Sequence, residues 1–433
     1  MARKMKDSGI EWIGEVPEGW EIVPVRSCFD EVRTKNTNGQ EQNALQFKSG
    51  NIISKTNFNA SIDDYVADTI TNYTVVLPDT VMINGLNLNY DFKSLRVALV
   101  KEKGVITSAY LAIFPDRKKI SPQYATYLFK GYETKMAFHN MGAGIRKTLG
   151  YKEFKNQPLL LPSEKEQNKI SAYLDSKCSH IDIMLSKIRS SIEEYKKLKQ
   201  AIITQAVTKG VRGEREMKDS GVEWIGEIPA EWSITKIKSG VTKIGSGKTP
   251  SGGAETYTDS GVIFLRSQNI YDCTLNLESP TYISSEVDAT MKSTRVLPDD
   301  VLLNITGGSI GRCSIVPKTL GLANVNQHVC IIRTNPLIFL PKYMQYFWVS
   351  TLGHLAIDLY QTGGNREGMS ADAIRNTPIP YAPLNEQKEI ADYLDAKCAE
   401  IDKLIAKKEQ LVKELESYKK SLIYEVVTGK REV

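Results

Sequence analysis

No apolar run in this chain approaches the ~20 residues that a membrane-spanning helix needs. The charged opening Met1–Lys6 leads into no apolar segment of the secretory kind. Histidine is scarce, with four in 433 residues, and the six cysteines (Cys28, Cys178, Cys273, Cys313, Cys330 and Cys398) form no C-x-x-C pair. A structural zinc site is therefore not expected, no metal ligand is assigned, and reduced thiols in a cytoplasmic protein are the simplest reading. Catalytic signatures are missing as well. There is no [DN]-P-P-[YF] segment of the kind amino-methyltransferases use around a target base. The L-P-D segments at 77–79 and 297–299 lack the E-x-K that would complete a nuclease signature, and read as turns leading into strands. GSGKT at 245–249 looks like part of a phosphate loop. However, the first glycine of G-x4-G-K-[ST] would fall at Thr242, and Pro250, Gly252 and Gly253 follow where a helix should begin. The chain alone is thus expected to bind no S-adenosylmethionine, cut no DNA and hydrolyse no ATP.

What remains is ordinary in composition. Hydrophobic residues make up 41% and charged residues 25%, which suits a chain that buries a core. The length allows about two to four domains. A net charge of +5 permits nucleic-acid binding without requiring it, because net charge averages over unlike faces.

The informative feature is an internal repeat. Residues 5–20 read MKDSGIEWIGEVPEGW and residues 217–232 read MKDSGVEWIGEIPAEW, with twelve of sixteen positions identical at an offset of 212. Weaker matches follow: LQFKSGNI (45–52) with IFLRSQNI (263–270), VLPDTVMIN (76–84) with VLPDDVLLN (296–304), and GAGIRKTL (142–149) with GGNREGM (363–369). EQNKISAYLDSKCSHID (166–182) then matches EQKEIADYLDAKCAEID (386–402) at an offset of 220. A unit this long is a domain with an appended element, not a solenoid repeat. The shared parts read as framework. The regions 21–75 and 233–295 differ most and read as what distinguishes the two copies.

The appended element is a long helix. Residues 164–208 contain neither Pro nor Gly, with Pro162 before them and Gly210 after. Apolar residues recur in a 4-3 alternation at Leu174, Cys178, Ile181, Leu185 and Ile188, and again at Leu394, Cys398, Ile401 and Ile405, with interruptions at Lys199, Lys408 and Lys419. Such a seam needs a partner. Each helix packs either on its own domain or, more simply, antiparallel on the other copy, which would give pseudo-twofold symmetry. The first opening motif would then lie beside the end of the second helix. Cys178 and Cys398 read as small core residues, not as a redox pair.

Residues 17–162 and 229–383 lack heptads and carry short β-type runs between turn residues, with one amphipathic helix candidate each at 122–130 and 341–350. The predicted fold is α/β (α+β): two mixed α/β modules joined by two long helices in an antiparallel coiled coil. The boundaries are 1–162, 163–212, 213–383 and 384–433.

This pattern resembles the specificity subunits of Type I restriction–modification systems over essentially the whole chain. The carrying residues are the D-S-G-x-E-W-I-G-E-x-P motif (7–17 and 219–229), the L-P-D-x-V pairs (77–81 and 297–301), the E-Q-x-x-I-x-x-Y-L-D helix starts (166–175 and 386–395) and GSGKTP (245–250). The resemblance implies two target-recognition domains, each reading one half of a split, asymmetric double-stranded DNA target. It implies helices that space the halves and dock two methyltransferase subunits, with restriction subunits joining through the complex. S-adenosylmethionine, ATP and magnesium would be bound by those partners. Half-sites about one helical turn, ~34 Å, apart would present both to one face of the duplex. A fused methyltransferase or nuclease, a coiled-coil scaffold, and a DNA-binding protein outside restriction–modification are the competing readings.

Phosphate contacts need cations and small polar groups, and base readout needs Arg, Asn, Gln, Ser or Thr on elements that enter a groove. In the first module Lys48, Asn51, Asn87, Lys93, Arg96, Arg146 and Lys147 suit these roles. In the second, Ser246, Lys248, Thr249, Arg266, Gln268, Asn269, Thr306, Ser309, Arg312 and Arg366 do. Arg146 and Arg366 form the leading pair, since both copies place Arg after a Gly-rich bend. Glycine in GSGKTP would let the backbone approach DNA while Lys248 supplies charge.

Overall fold

A computed structural model of the chain describes residues 3–55, 70–92, 95–142, 144, 147–361 and 368–433. The chain divides into two compact units, Met1–Arg189 with Glu409–Val433, and Ser190–Lys408. Each unit therefore holds one α/β module, part of the helix that follows it, and part of the helix from the other copy.

In the first unit the opening motif is a hairpin of Met5–Asp7 with Glu15–Pro17. An antiparallel four-stranded sheet runs in the order Phe29–Glu31, Leu111–Pro115, Val81–Ile83, Val97–Leu99. Glu21–Pro24 pairs with Pro158–Leu161, so the strand entering the module is tied to the strand leaving it. The helix Pro122–Thr134 starts on Ser121, whose side chain accepts from the Tyr124 N–H, with proline at the first helical position. It buries Tyr124, Leu128, Phe129 and Tyr132.

The second unit repeats this plan. Met217–Asp219 pairs with Glu227–Pro229, and Ser233–Lys236 with Pro378–Tyr381. The four-stranded sheet is Val241–Ser246, Val329–Thr334, Val301–Asn304, Cys313–Ile315, and the matching helix is Pro341–Val349. A second sheet, Tyr257–Thr258, Thr281–Ile283, Val262–Leu265, Ala323–Val325, includes the parallel pair Val262–Leu265 with Ala323–Val325. It falls largely within the most divergent region. The L-P-D segments are turns into strands, with Asp79 (φ 74°) and Asp299 (φ 68°) left-handed.

The long helices span Glu164–Lys209 and Leu384–Val427. Within each unit they run antiparallel. In the first, Asp182 pairs with Lys419 (2.6 Å) and the later Arg189 with the earlier Glu416 (2.5 Å). In the second, Lys199 pairs with Asp402 (2.6 Å) and Arg212, just past its helix, with Glu389 (2.8 Å). Leu174, Cys178, Ile181 and Leu185 are buried in one apolar core with Leu422, Ile423, Val426 and Val427. Leu394 and Cys398 share another with Ile203, Ala206 and Val207. Ile401 is buried, while Ile188 and Ile405 are half-buried. Both options left open by the sequence are therefore realised, because these cores also contain the residues of the adjoining module. The three lysine interruptions have physical roles. Lys199 and Lys419 make the reciprocal ion pairs with Asp402 and Asp182, and Lys408 lies 5.5 Å from the Tyr195 ring centroid.

The repeated E-Q at each helix start is explained by two clips. Glu166 accepts from Trp20 Nε1 at 2.9 Å and pairs with Arg3, whose guanidinium lies over the Trp20 ring. Glu386 accepts from Trp232 Nε1 at 2.9 Å and pairs with Arg215 at 2.6 Å, which lies over Trp232. Gln167 bonds Ser121 N, Lys119 O and Pro162 O, and Gln387 bonds Leu340 N, Ile338 O and Ala382 O. Each glutamine thereby ties its helix start to the loop before the module helix. The first opening motif does meet the end of the second helix, where the Tyr424 hydroxyl donates to Trp12 O at 2.7 Å and Gly429 packs on Pro17.

Candidate nucleic-acid interface

In the first module the polar stretches meet through backbone hydrogen bonds and one glycine–leucine contact. Lys48 and Asn51 flank the left-handed pair Ser49 and Gly50 in the hairpin of Leu45–Lys48 and Asn51–Ser54, and Gly50 packs against Leu95. Asn84 N donates to Arg96 O at 2.8 Å, closing the loop between two sheet strands. Leu88 N donates to Lys147 O at 3.1 Å and Leu149 N to Gly85 O at 2.9 Å, so a third loop joins. Lys48, Asn51, Asn87 and Lys147 are exposed there. Lys93 and Arg146 lie outside the described residues.

Arg96 is a correction. It is 1% exposed, and its guanidinium donates to Asn84 O, Leu86 O (both 2.8 Å) and Asp91 O (2.5 Å). A buried cation satisfied by three loop carbonyls shapes the loop and does not face a phosphate. The residues it presents are Tyr90, 73% exposed, and Phe92, 57% exposed, the latter stacked on His139. Sequence reasoning passed over both because neither carries charge or an amide.

The corresponding loop of the second module is closed in the same way, with Asn304 N donating to Arg312 O at 2.9 Å. Here the arginine is half-buried and lies 4.6 Å from the Tyr271 ring centroid. The Asn304 side chain donates to Ser267 O (2.8 Å) and Ser309 Oγ (3.1 Å), drawing the 266–269 and 306–312 stretches together. Met369 N donates to Ile305 O at 2.9 Å. Arg366 lies outside the described residues. Ser246, Lys248 and Gln268 are exposed, and Arg266 is half-buried over Tyr257. Asn269 is a second correction. It is buried, accepts from Arg266 N at 2.9 Å and donates to Asn276 O at 3.0 Å, so its amide holds a turn.

Within the GSGKTP loop, Gly247 has a packing role. A Cβ on Gly247 would sit 2.1 Å from Val325 O, so only glycine lets this loop lie on residues 325–327. The loop is fixed there by Lys248 N to Val325 O (3.1 Å) and by Thr249 Oγ1 to Gln327 Oε1. Gln327 Nε2 meets His328 Nε2 at 2.9 Å, and His328 Nδ1 meets Thr306 Oγ1 at 2.5 Å. Thr249 and Thr306 thus end a polar chain whose middle, Gln327 and His328, sequence analysis missed. No local sequence pattern marks these two residues.

Among the described residues no cluster of three or more His, Cys, Asp or Glu could hold a metal ion, and no helix is long and apolar enough to cross a membrane. The site supplies hydrogen-bonding groups, cations and aromatic faces on convergent loops, the inventory for reading a groove.

Comparison with known proteins agrees. Residues 229–414 match the family model described as Type I restriction modification DNA specificity domain. The chain is 24% identical to a putative type I restriction enzyme MjaX specificity subunit of Methanocaldococcus jannaschii, covering 96% of this chain and 95% of the relative. It is likewise 24% identical to the MjaVIII specificity subunit of that organism, over 96% of this chain and 93% of the relative. A chain from a structural study of complex assembly and conformational transition of the type I R-M system shares the fold. That likeness has a TM-score of 0.71 at 15% identity and covers 96% of this chain and 99% of that one. The HsdS subunit from Thermoanaerobacter tengcongensis does so with a TM-score of 0.51 at 15% identity, covering 98% and 100%. With two modules built on one plan, the chain carries a match to the Type I restriction modification DNA specificity domain over residues 229–414 and is similar over nearly its full length to specificity subunits of Type I restriction enzymes.

Proposed function

We propose that each module binds one half of a split, asymmetric duplex target and that the chain itself performs no chemistry. The observation that carries this is the pair of equivalent loops. Both are closed by an Asn N–H on an Arg carbonyl, yet residues 84–96 present Tyr90 and Phe92 while residues 304–312 present Thr306 and Ser309. A common frame with different contact chemistry suits two readers of unlike sequence. The paired helices and their repeated clips dock two methyltransferase subunits, and restriction subunits join through that complex. S-adenosylmethionine, ATP and magnesium are held by those partners.

The test is a gel shift and methyl-transfer assay with labelled S-adenosylmethionine. The assembled complex is expected to retain a target-bearing duplex against random competitor and to label it, and the chain alone to transfer no methyl group. Methyl transfer by the chain alone would refute the non-catalytic reading. Equal retention of random duplexes would refute the sequence-reading role.

A further inference from the structure

We infer that Gln327 reads an adenine in the half-site bound by the second module. The inference rests on the reading of that module as a DNA binder. Gln327 is exposed, yet its amide is gripped on both sides by Thr249 Oγ1 and His328 Nε2. Thr249 is in turn held by the packing of Gly247 on Val325, and His328 by Thr306. An exposed glutamine normally samples many rotamers, and fixing one of them costs side-chain entropy. Here that ordering precedes binding.

Hydrogen-bond counting then gives the base. A primary amide has two N–H donors and an oxygen with two lone pairs. Thr249 donates to the oxygen, leaving one lone pair, and one N–H is directed to His328, leaving one N–H. If the amide is turned the other way, with nitrogen toward Thr249 and oxygen toward a protonated His328 nitrogen, the remainder is the same. One donor and one acceptor on a single amide match adenine, whose major-groove edge offers N7 as acceptor and N6–H as donor. Guanine presents two acceptors, so the remaining amide oxygen would face O6 unfavourably. Cytosine and thymine lack the paired edge. Thr249 and Thr306 are positioning residues in this account, while Lys248 beside them is left for the backbone.

The experiment uses the chain assembled with its methyltransferase. The modified motif is first read by methylation profiling of a host genome carrying both. Duplexes are then made in which each adenine of the motif in turn is replaced by 7-deazaadenine, which loses the N7 acceptor but keeps N6–H and base pairing. Wild-type complex is expected to lose affinity by about tenfold at one adenine of one half-site. Gln327→Ala is expected to bind the unmodified duplex about tenfold more weakly and to be indifferent to 7-deazaadenine at that position. It should still respond elsewhere as wild type does. Thr249→Val, which releases the amide without deleting it, should give a smaller response at the same adenine. An unchanged unfolding midpoint for Gln327→Ala, expected for an exposed side chain, separates readout from misfolding. The proposal is overturned if Gln327→Ala responds to every substitution as wild type does, or if no adenine is sensitive. A complex that modifies no motif at all would instead refute the DNA-reading role on which the inference rests.

Discussion

The two Trp–Glu–Arg clips offer an internally controlled stability test, because one motif sits in two environments. Glu386 is fully buried, 2.9 Å from Trp232 Nε1 and 2.6 Å from the 13%-exposed Arg215. Glu166 makes the same contacts with Trp20 and Arg3, but both charged side chains are more than a quarter exposed. Removing one partner of a buried ion pair costs about 3–5 kcal/mol, because the other charge is left uncompensated. Arg215 keeps Glu231 (2.9 Å) and Lys209 O (2.8 Å), so the lower end applies to the ion pair, about 3 kcal/mol, and the lost acceptor of the Trp232 indole brings Glu386→Ala to about 4–5 kcal/mol. Glu166→Ala removes an acceptor from the buried Trp20 indole, about 1–2 kcal/mol. Its partly solvated ion pair adds at most about 1 kcal/mol. Urea titration of the full chain, read by amide exchange at each helix start, should thus show the larger loss at Glu386. Equal losses, or a loss below about 1 kcal/mol for Glu386→Ala, would refute the assignment of the clip as a burial-dependent lock.

Three further outcomes are expected. Arg96→Ala should lower the unfolding midpoint and destroy DNA binding together, whereas Lys48→Ala should leave the midpoint alone and reduce the salt dependence of binding by about one phosphate contact; an Arg96→Ala protein with an unchanged midpoint and lost binding would restore Arg96 as a contact residue. Replacing both Tyr90 and Phe92 by Ser should change stability by less than about 0.5 kcal/mol per site yet weaken binding of the intact complex, and unchanged affinity would remove both from the interface. Burial pushes Glu133 up to about 7, against the pull of Arg96, Lys130 and Lys420. With the folded value above the unfolded one, the folded state holds the extra proton between roughly pH 4.5 and 7. Stability from this group is therefore highest at low pH and falls as pH rises through 7, by about 3 kcal/mol in all. Glu133→Gln should flatten that slope in pH-dependent urea unfolding, and an unaltered slope would contradict the origin given.

The helices were legible because their signal is local and stated twice: the 4-3 apolar alternation fixes which face is buried. The roles of its lysine interruptions were not, since Asp182 and Asp402 lie far from Lys419 and Lys199 in sequence and meet them only when the helices pair. The polar stretches were found as loops, and the fold brings their described parts together within each module. Individual roles were not readable. Arg96 and Arg312 occupy equivalent loop ends, yet one is consumed by carbonyls and the other lies over an aromatic ring. Burial, which separates them, depends on the loop between. Gln327 was invisible for a related reason: its importance comes from Thr249, His328 and a glycine that lets two loops touch, none of which is a local pattern.

The central claim, one frame with two different readers, is tested most directly by methylation profiling of hosts carrying the methyltransferase with wild-type chain or with loop variants. Wild type should modify a motif of two unlike specific halves separated by a fixed, unspecified gap. Variants of the loop between Asn84 and Arg96 should alter preference in one half only, and variants of the loop between Asn304 and Arg312 in the other only. A continuous or palindromic motif, or one loop changing both halves, would contradict the account.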